Sequence, residues 1–130
     1  SYDGNTGLYV QYALVRMFAI LRRGAEVGET AGTIDAADAG LLQHQQEQRL
    51  LFHLAQYPEL VATACRTLSV NLVAEYAYEL ATIFSQFYRD CPVLNAEPAL
   101  RDARLLLVRT VREVLTNVCG VLGVPIIERL

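Results

Sequence analysis

Apolar residues recur along this chain with helical rather than strand spacing, almost from end to end. Between Thr6 and Arg23, the residues Val10, Leu14, Met17, Phe18 and Leu21 gather on one side of a helix. Thr6 suits its N-cap and Gly24 its C-terminal stop. Residues 24–38 (GAEVGETAGTIDAAD) break the period; small, acidic and glycine-rich, they predict an exposed, mobile loop. A second helix is expected from about Asp38, through the polar run 43–48 into Leu50, Leu51, Phe52 and Leu54, until Tyr57-Pro58 interrupts it. Pro58 fits the first turn of a short third helix ending near Thr67. The fourth, capped by Ser69 or Asn71 and reaching Tyr88, keeps Leu72, Tyr76, Leu80, Ile83 and Phe87 on a core face.

Residues 89–97 form a connection holding Cys91-Pro92, and Pro98 opens the longest helix, closed after Leu122 by Gly123. Its apolar arc carries Leu100, Leu107, Val111, Val114, Leu115 and Val118. Arg101, Arg109, Arg112, Glu113 and Thr116 share the polar arc, with Arg109 and Glu113 an i, i+4 surface couple. The tail 124–130 is apolar enough to pack back on the bundle. The expected product is an all-α, antiparallel helical bundle of about five helices, in a single domain spanning 1–130.

One stripe does not fit a purely structural role. Tyr9, Tyr12 and Arg16 fall within an arc of roughly 60°, centred roughly 150° from the apolar set of the same helix. Either a neighbouring helix covers this stripe, or it is presented to a partner. Aromatic faces and guanidinium groups are the chemistry of stacking platforms for unpaired bases.

Charge qualifies that possibility. The net charge is −3, yet residues 1–23 and 98–130 each sum to +2 while 24–38 sum to −4. All eleven basic residues are arginine, suited to bidentate phosphate contacts, although arginine-favouring codon usage gives the same bias. A modest excess at the ends supports selective contacts at a few places rather than general adhesion to a duplex.

Cys65, Cys91 and Cys119 lie far apart without metal-ligand spacing, which argues for reduced thiols and against a disulfide framework or structural zinc. His44 and His53 are nine residues apart, off the spacing of a helical metal site, and are expected at the surface or its boundary. The longest uncharged stretch, 114–127, is interrupted by polar residues, glycines and Pro125 and is too broken to span a bilayer. With no leader pattern visible, the expectation is a cytoplasmic chain that does not engage membranes. Phosphate-binding loops and hydrolase or zinc-protease motifs are absent. Glu75 and Glu79 share a helix face but are expected to be solvated. A binding module is expected, with no catalytic, metal or cofactor residues of its own.

The two ends together carry a resemblance. Asn5-Thr-Gly-x-Tyr-x-Gln-Tyr-Ala-x-x-Arg16 is similar to the stretch that opens the C-terminal domain of arginyl-tRNA synthetases. Ala103-Arg-Leu-x-Leu107, Val114-Leu-x-Asn117, Leu122-Gly-Val and Glu128-Arg-Leu130 resemble that family's closing helix and terminus. Tyr78-Glu-Leu-Ala81 and Phe87-Tyr88-x-x-Cys-x-Val93 resemble its penultimate helix and the turn after it. Asp102-Ala103-Arg104-Leu105 is close to the tetrapeptide that names the DALR anticodon-binding domain. The chain departs from the pattern at Leu14 for a usual His, at Val70-Asn71 for Pro-His, and at Leu130 for Met.

The resemblance implies a domain that holds the anticodon loop of tRNA-Arg, with Tyr9, Tyr12, Arg16, Tyr88 and the chain end at Leu130 as contacts. Gln11 matches a motif position but projects away from the stripe, so a structural role is expected. It further implies a partner catalytic domain in a parent enzyme that uses ATP; its two signature motifs are absent here, so the chain alone is expected not to aminoacylate. A freestanding tRNA-binding module and a helical protein-interaction module are the alternatives.

Overall fold

The computed structural model describes residues 4–27 and 34–129, with the side chains of 4–6 and of Ala36 left aside. Among these, six helices and no strand occur: α1 (Gly4–Gly24), α2 (Ala36–Leu41), α3 (Gln45–Ala55), α4 (Tyr57–Thr67), α5 (Val70–Asp90) and α6 (Pro98–Leu122). Five of them are eleven residues or longer, and α2 is a six-residue addition.

Three boundaries differ from expectation. Helix α1 begins at Gly4, two residues before Thr6. The segment expected as a loop over 24–38 ends early, because Asp35 caps α2: its carboxylate accepts from the Asp38 N–H at 2.8 Å, and Asp38 reciprocates at 3.1 Å. Its centre, 28–33, lies outside the described residues, so the mobility expected there does too. The expected second helix is two, since His44 starts α3 afresh: His44 Nδ1 accepts from the Gln46 N–H, and Glu47 accepts from the His44 N–H at 2.9 Å.

The core is a three-helix packing of α1, α5 and α6. Leu14, Met17, Leu80, Phe84, Phe87, Leu107, Val111 and Leu115 are fully buried in it. Helix α6 runs antiparallel to α1: the Arg112 guanidinium sits over the Phe18 ring at 5.6 Å, and α1 ends against Leu105. A Cβ at Gly24 would lie 2.5 Å from Leu105 Cδ2, so the bare glycine permits that close approach. The short 91–97 turn makes α5 antiparallel to α6 as well, leaving α1 and α5 parallel. Tyr9 accordingly meets Tyr78, and Arg16 meets Tyr88 ten residues further along α5. Among the described residues, no helix is long and apolar enough to cross a membrane.

Three polar side chains are buried where sequence pattern gave no hint. Glu47 and Arg104 form an ion pair with Nε–Oε2 2.5 Å, and Arg104 Nη1 also donates to the Pro92 carbonyl at 2.6 Å. His53, expected at the surface or boundary, is buried. It stacks on Tyr76 with ring centroids 4.2 Å apart and planes 11° apart, and its carbonyl accepts the Tyr76 hydroxyl at 2.7 Å. Burial holds the His53 imidazole below its ordinary value, opposed by the Tyr76 carbonyl and Glu79.

The unfolded chain therefore binds this proton more readily than the folded one. The contribution of His53 to stability is fully present above about pH 6.5 and is lost as the pH falls toward the depressed folded value. Thermal melts across that range are expected to show falling stability, and an NMR titration places His53 below a free imidazole. A His53 titrating at or above the free value contradicts this.

Candidate nucleic-acid interface

The α1 face that carries Tyr9, Tyr12 and Arg16 lies closer to the core than its apolar residues alone forecast. Ala13 and Ile20 are buried as well, which turns the core side of α1 toward the stripe. Tyr9 is in consequence half-buried, its ring 5.2 Å from Tyr78 at 37°. Tyr12, one turn on, is 55% exposed. Arg16 is exposed and stands over the Tyr88 ring, its guanidinium carbon 4.7 Å from the centroid. Such a cation–π contact orders both groups.

Beside that contact a cleft of ≈ 410 Å³ opens between α1, the end of α5 and the turn after it. Arg16, Ala19, Ile20 and Arg23 line one wall; Tyr88, Arg89 and residues Pro92, Val93, Leu94 and Asn95 line the other. Arg89 is tied to Asp90 at 2.9 Å, which holds that carboxyl below the usual carboxylate range. Among the described residues, Arg16 and Arg23 form no ion pair with a carboxylate. Their positive charge is thus available to an anionic ligand.

The C-terminal tail is anchored on another side of α1. Gln11 donates from Nε2 to the Pro125 carbonyl at 3.0 Å, and Arg22 from Nη1 to the Glu128 carbonyl at 3.4 Å. Gln11 therefore has a structural bond. Both anchors sit roughly 110–130° around α1 from the stripe, so the anchored tail packs on a different side of that helix. Leu130 itself lies outside the described residues. Of the expected set, Arg16 and Tyr88 are brought into contact, and Tyr9 and Tyr12 lie on the same helix face.

The opposite flank has contrary charge. A cleft of ≈ 340 Å³ between α3, α4 and α5 is lined by Glu59, Glu75 and Glu79 with His53 and Tyr76. Carboxylates thus line that flank, and arginines the α1/α5 cleft. Among the described residues no group of three or more His, Cys, Asp or Glu could hold a metal ion.

The model of the DALR anticodon-binding domain matches residues 10–130. The chain belongs to this family. Its full length aligns at 43% identity with an arginine–tRNA ligase of Chloroflexus aurantiacus and at 38% with one of Thermococcus kodakarensis. It spans 22% and 21% of those proteins, respectively. The solved arginyl-tRNA synthetase of Thermus thermophilus superposes over the whole chain with a TM-score of 0.83 at 30% identity, matching 22% of that structure. The chain thus spans about a fifth of the length of these relatives.

Within this DALR domain, sequence reasoning overlooked two features of the interface. Tyr78 is out of phase with the α5 core residues, a signal that marks it as outward-facing, and it is 42% exposed. Asn95 lies in an irregular turn, where no periodicity points to its orientation.

Proposed function

We propose that this domain holds the anticodon loop of tRNA-Arg against the α1/α5 face. The observation that carries this is the Arg16–Tyr88 stack at the mouth of a basic cleft. An unpaired base entering the cleft meets the exposed aromatic and guanidinium faces, while Arg16 and Arg23 neutralise loop phosphates. Tyr12 and the Tyr9–Tyr78 pair extend the surface along α1 for a neighbouring nucleotide. Leu130 is proposed as a further contact.

The genetic code constrains what is read. Arginine codons are CGN, AGA and AGG, so their anticodons share only the central cytosine. The cleft is therefore assigned to that base, with its neighbours tolerated. In a protein of the relatives' length, a catalytic domain using ATP would attach arginine, and the present domain would select and position the tRNA. A cytoplasmic setting follows from that role.

Titrating the chain with tRNA-Arg tests the proposal. Binding is expected to weaken as salt rises and to drop at least tenfold when the central cytosine is replaced. Equal affinity for tRNA-Arg and for a tRNA with another central base contradicts it.

A further inference from the structure

We propose that the groove between α1 and α6 is a second anion site, which grips a backbone phosphate of the RNA whose loop enters the α1/α5 cleft. The identity of that RNA rests on the anticodon function proposed above. Arg22, Arg109 and Arg112 line a cavity of ≈ 250 Å³ in this groove, against an apolar wall of Phe18 and Leu21. A further cavity of ≈ 490 Å³ shares Phe18 and Arg112 with it and adds Glu113, Thr116 and Asn117.

Packing does not account for this gathering of charge. Three guanidinium groups around one cavity repel one another unless an anion lies among them. The one carboxylate lining either cavity, Glu113, is held by Arg109 at 3.2 Å. Among the described residues, Arg22 and Arg112 form no ion pair with a carboxylate. Arg22 makes a long bond to the Glu128 carbonyl, at 3.4 Å, which leaves its charge uncompensated. The Arg112 guanidinium lies over the Phe18 ring at 5.6 Å, a contact that orders it without neutralising it. Guanidinium groups present their donors in a planar fork that matches the oxygens of a phosphate.

The location points to a phosphate of the bound RNA rather than to a free anion. Arg22 and Arg23 are consecutive in the last turn of α1. They fall on its two flanks, Arg23 lining the α1/α5 cleft and Arg22 the α1/α6 groove. The two sites are therefore separated by the width of one helix, about 10–12 Å with its side chains. A strand whose base sits in the first cleft crosses that width within a few nucleotides. Base reading and backbone gripping are then divided between the two sides of α1.

The test measures dissociation constants of the full chain, over a series of salt concentrations, for an anticodon stem-loop of tRNA-Arg and for the same loop with its central cytosine replaced. Arg112→Gln is expected to weaken both RNAs by the same factor. It should also lower the slope of log affinity against log salt by about 1, the mark of one lost phosphate contact. The preference for cytosine, set in the α1/α5 cleft, should not change. Arg22→Gln, on the facing helix, should reproduce these effects, and Arg112→Lys, which keeps the charge, should retain the slope. Arg66→Gln removes an equal charge from the exposed side of α4 and should alter neither slope nor affinity. Inorganic phosphate in place of chloride at constant ionic strength should not displace the RNA; displacement would make the groove a site for the free anion and overturn its assignment to RNA. Folded Arg112→Gln or Arg22→Gln variants with unaltered slope overturn the inference and leave the anticodon function standing. Loss of slope together with loss of the cytosine preference also overturns it, since the arginine would then act through the first cleft. An unaltered chain without any preference for cytosine contradicts the anticodon function itself and removes the RNA on which the inference rests.

Discussion

Arg104→Ala is expected to lower the unfolding free energy by about 3–5 kcal/mol, the usual cost of leaving one buried charge without its partner. The stranded group is Glu47, whose side chain is 1% exposed and whose second oxygen already serves the α3 N-cap. Removing Arg104 also releases the Pro92 carbonyl. Glu47→Ala strands Arg104 in the same way and is expected to cost a similar amount. Because each single change is dominated by the charge left behind, the double variant Glu47→Leu/Arg104→Met should be less destabilised than either alone. Chemical denaturation of the three variants checks this. A double variant whose loss equals the sum of the singles contradicts the ion-pair account, since independent sites add.

Tyr88→Ala should act in the opposite way, with little effect on folding and a large one on binding. The ring is 42% exposed and contributes one edge to the core through Phe84, so the loss of stability should be about 1 kcal/mol or less. Each base stacked on an aromatic side chain is worth about 1–3 kcal/mol by alanine substitution, which predicts an affinity for tRNA-Arg at least fivefold weaker. Arg16→Ala should produce a comparable loss. The two should be non-additive, because the guanidinium and the ring are in contact and present one surface. Calorimetric or fluorescence titrations at matched salt measure all three variants. A Tyr88→Ala variant with lowered melting temperature and unchanged affinity would make the stack a packing contact only.

The long helices were legible because local rules agreed along them. Helices α5 and α6 combine a cap or an N-terminal proline with a continuous apolar face, and α6 closes on Gly123 at φ 73°. The break between α2 and α3 was not legible, since the single Gly40 in the last turn of α2 lies inside the run read as one helix. It rests on a capping box built with His44 in place of the usual hydroxyl or carboxylate residue. The stripe on α1 was visible as a set of residues, but its depth depended on how Ala13 and Ile20 are buried. The Glu47–Arg104 pair joins residues 57 apart in sequence, and periodicity within either helix says nothing about the other. Glu47 read as one more member of a polar run, and Arg104 as part of a family tetrapeptide.

The central claim is that the α1/α5 face, and not the acidic flank of the bundle, receives the anticodon loop. An amide and arginine side-chain NMR map of the chain, recorded while an anticodon stem-loop of tRNA-Arg is added, tests it most directly. Tyr12, Arg16, Arg23, Tyr88 and Asn95 are expected to shift in proportion to occupancy, with the Arg16 guanidinium among the largest changes. Glu59, Glu75 and Glu79 on the acidic flank should stay in place. Shifts concentrated on that flank, or absent from Arg16 and Tyr88 at saturating RNA, would contradict the account.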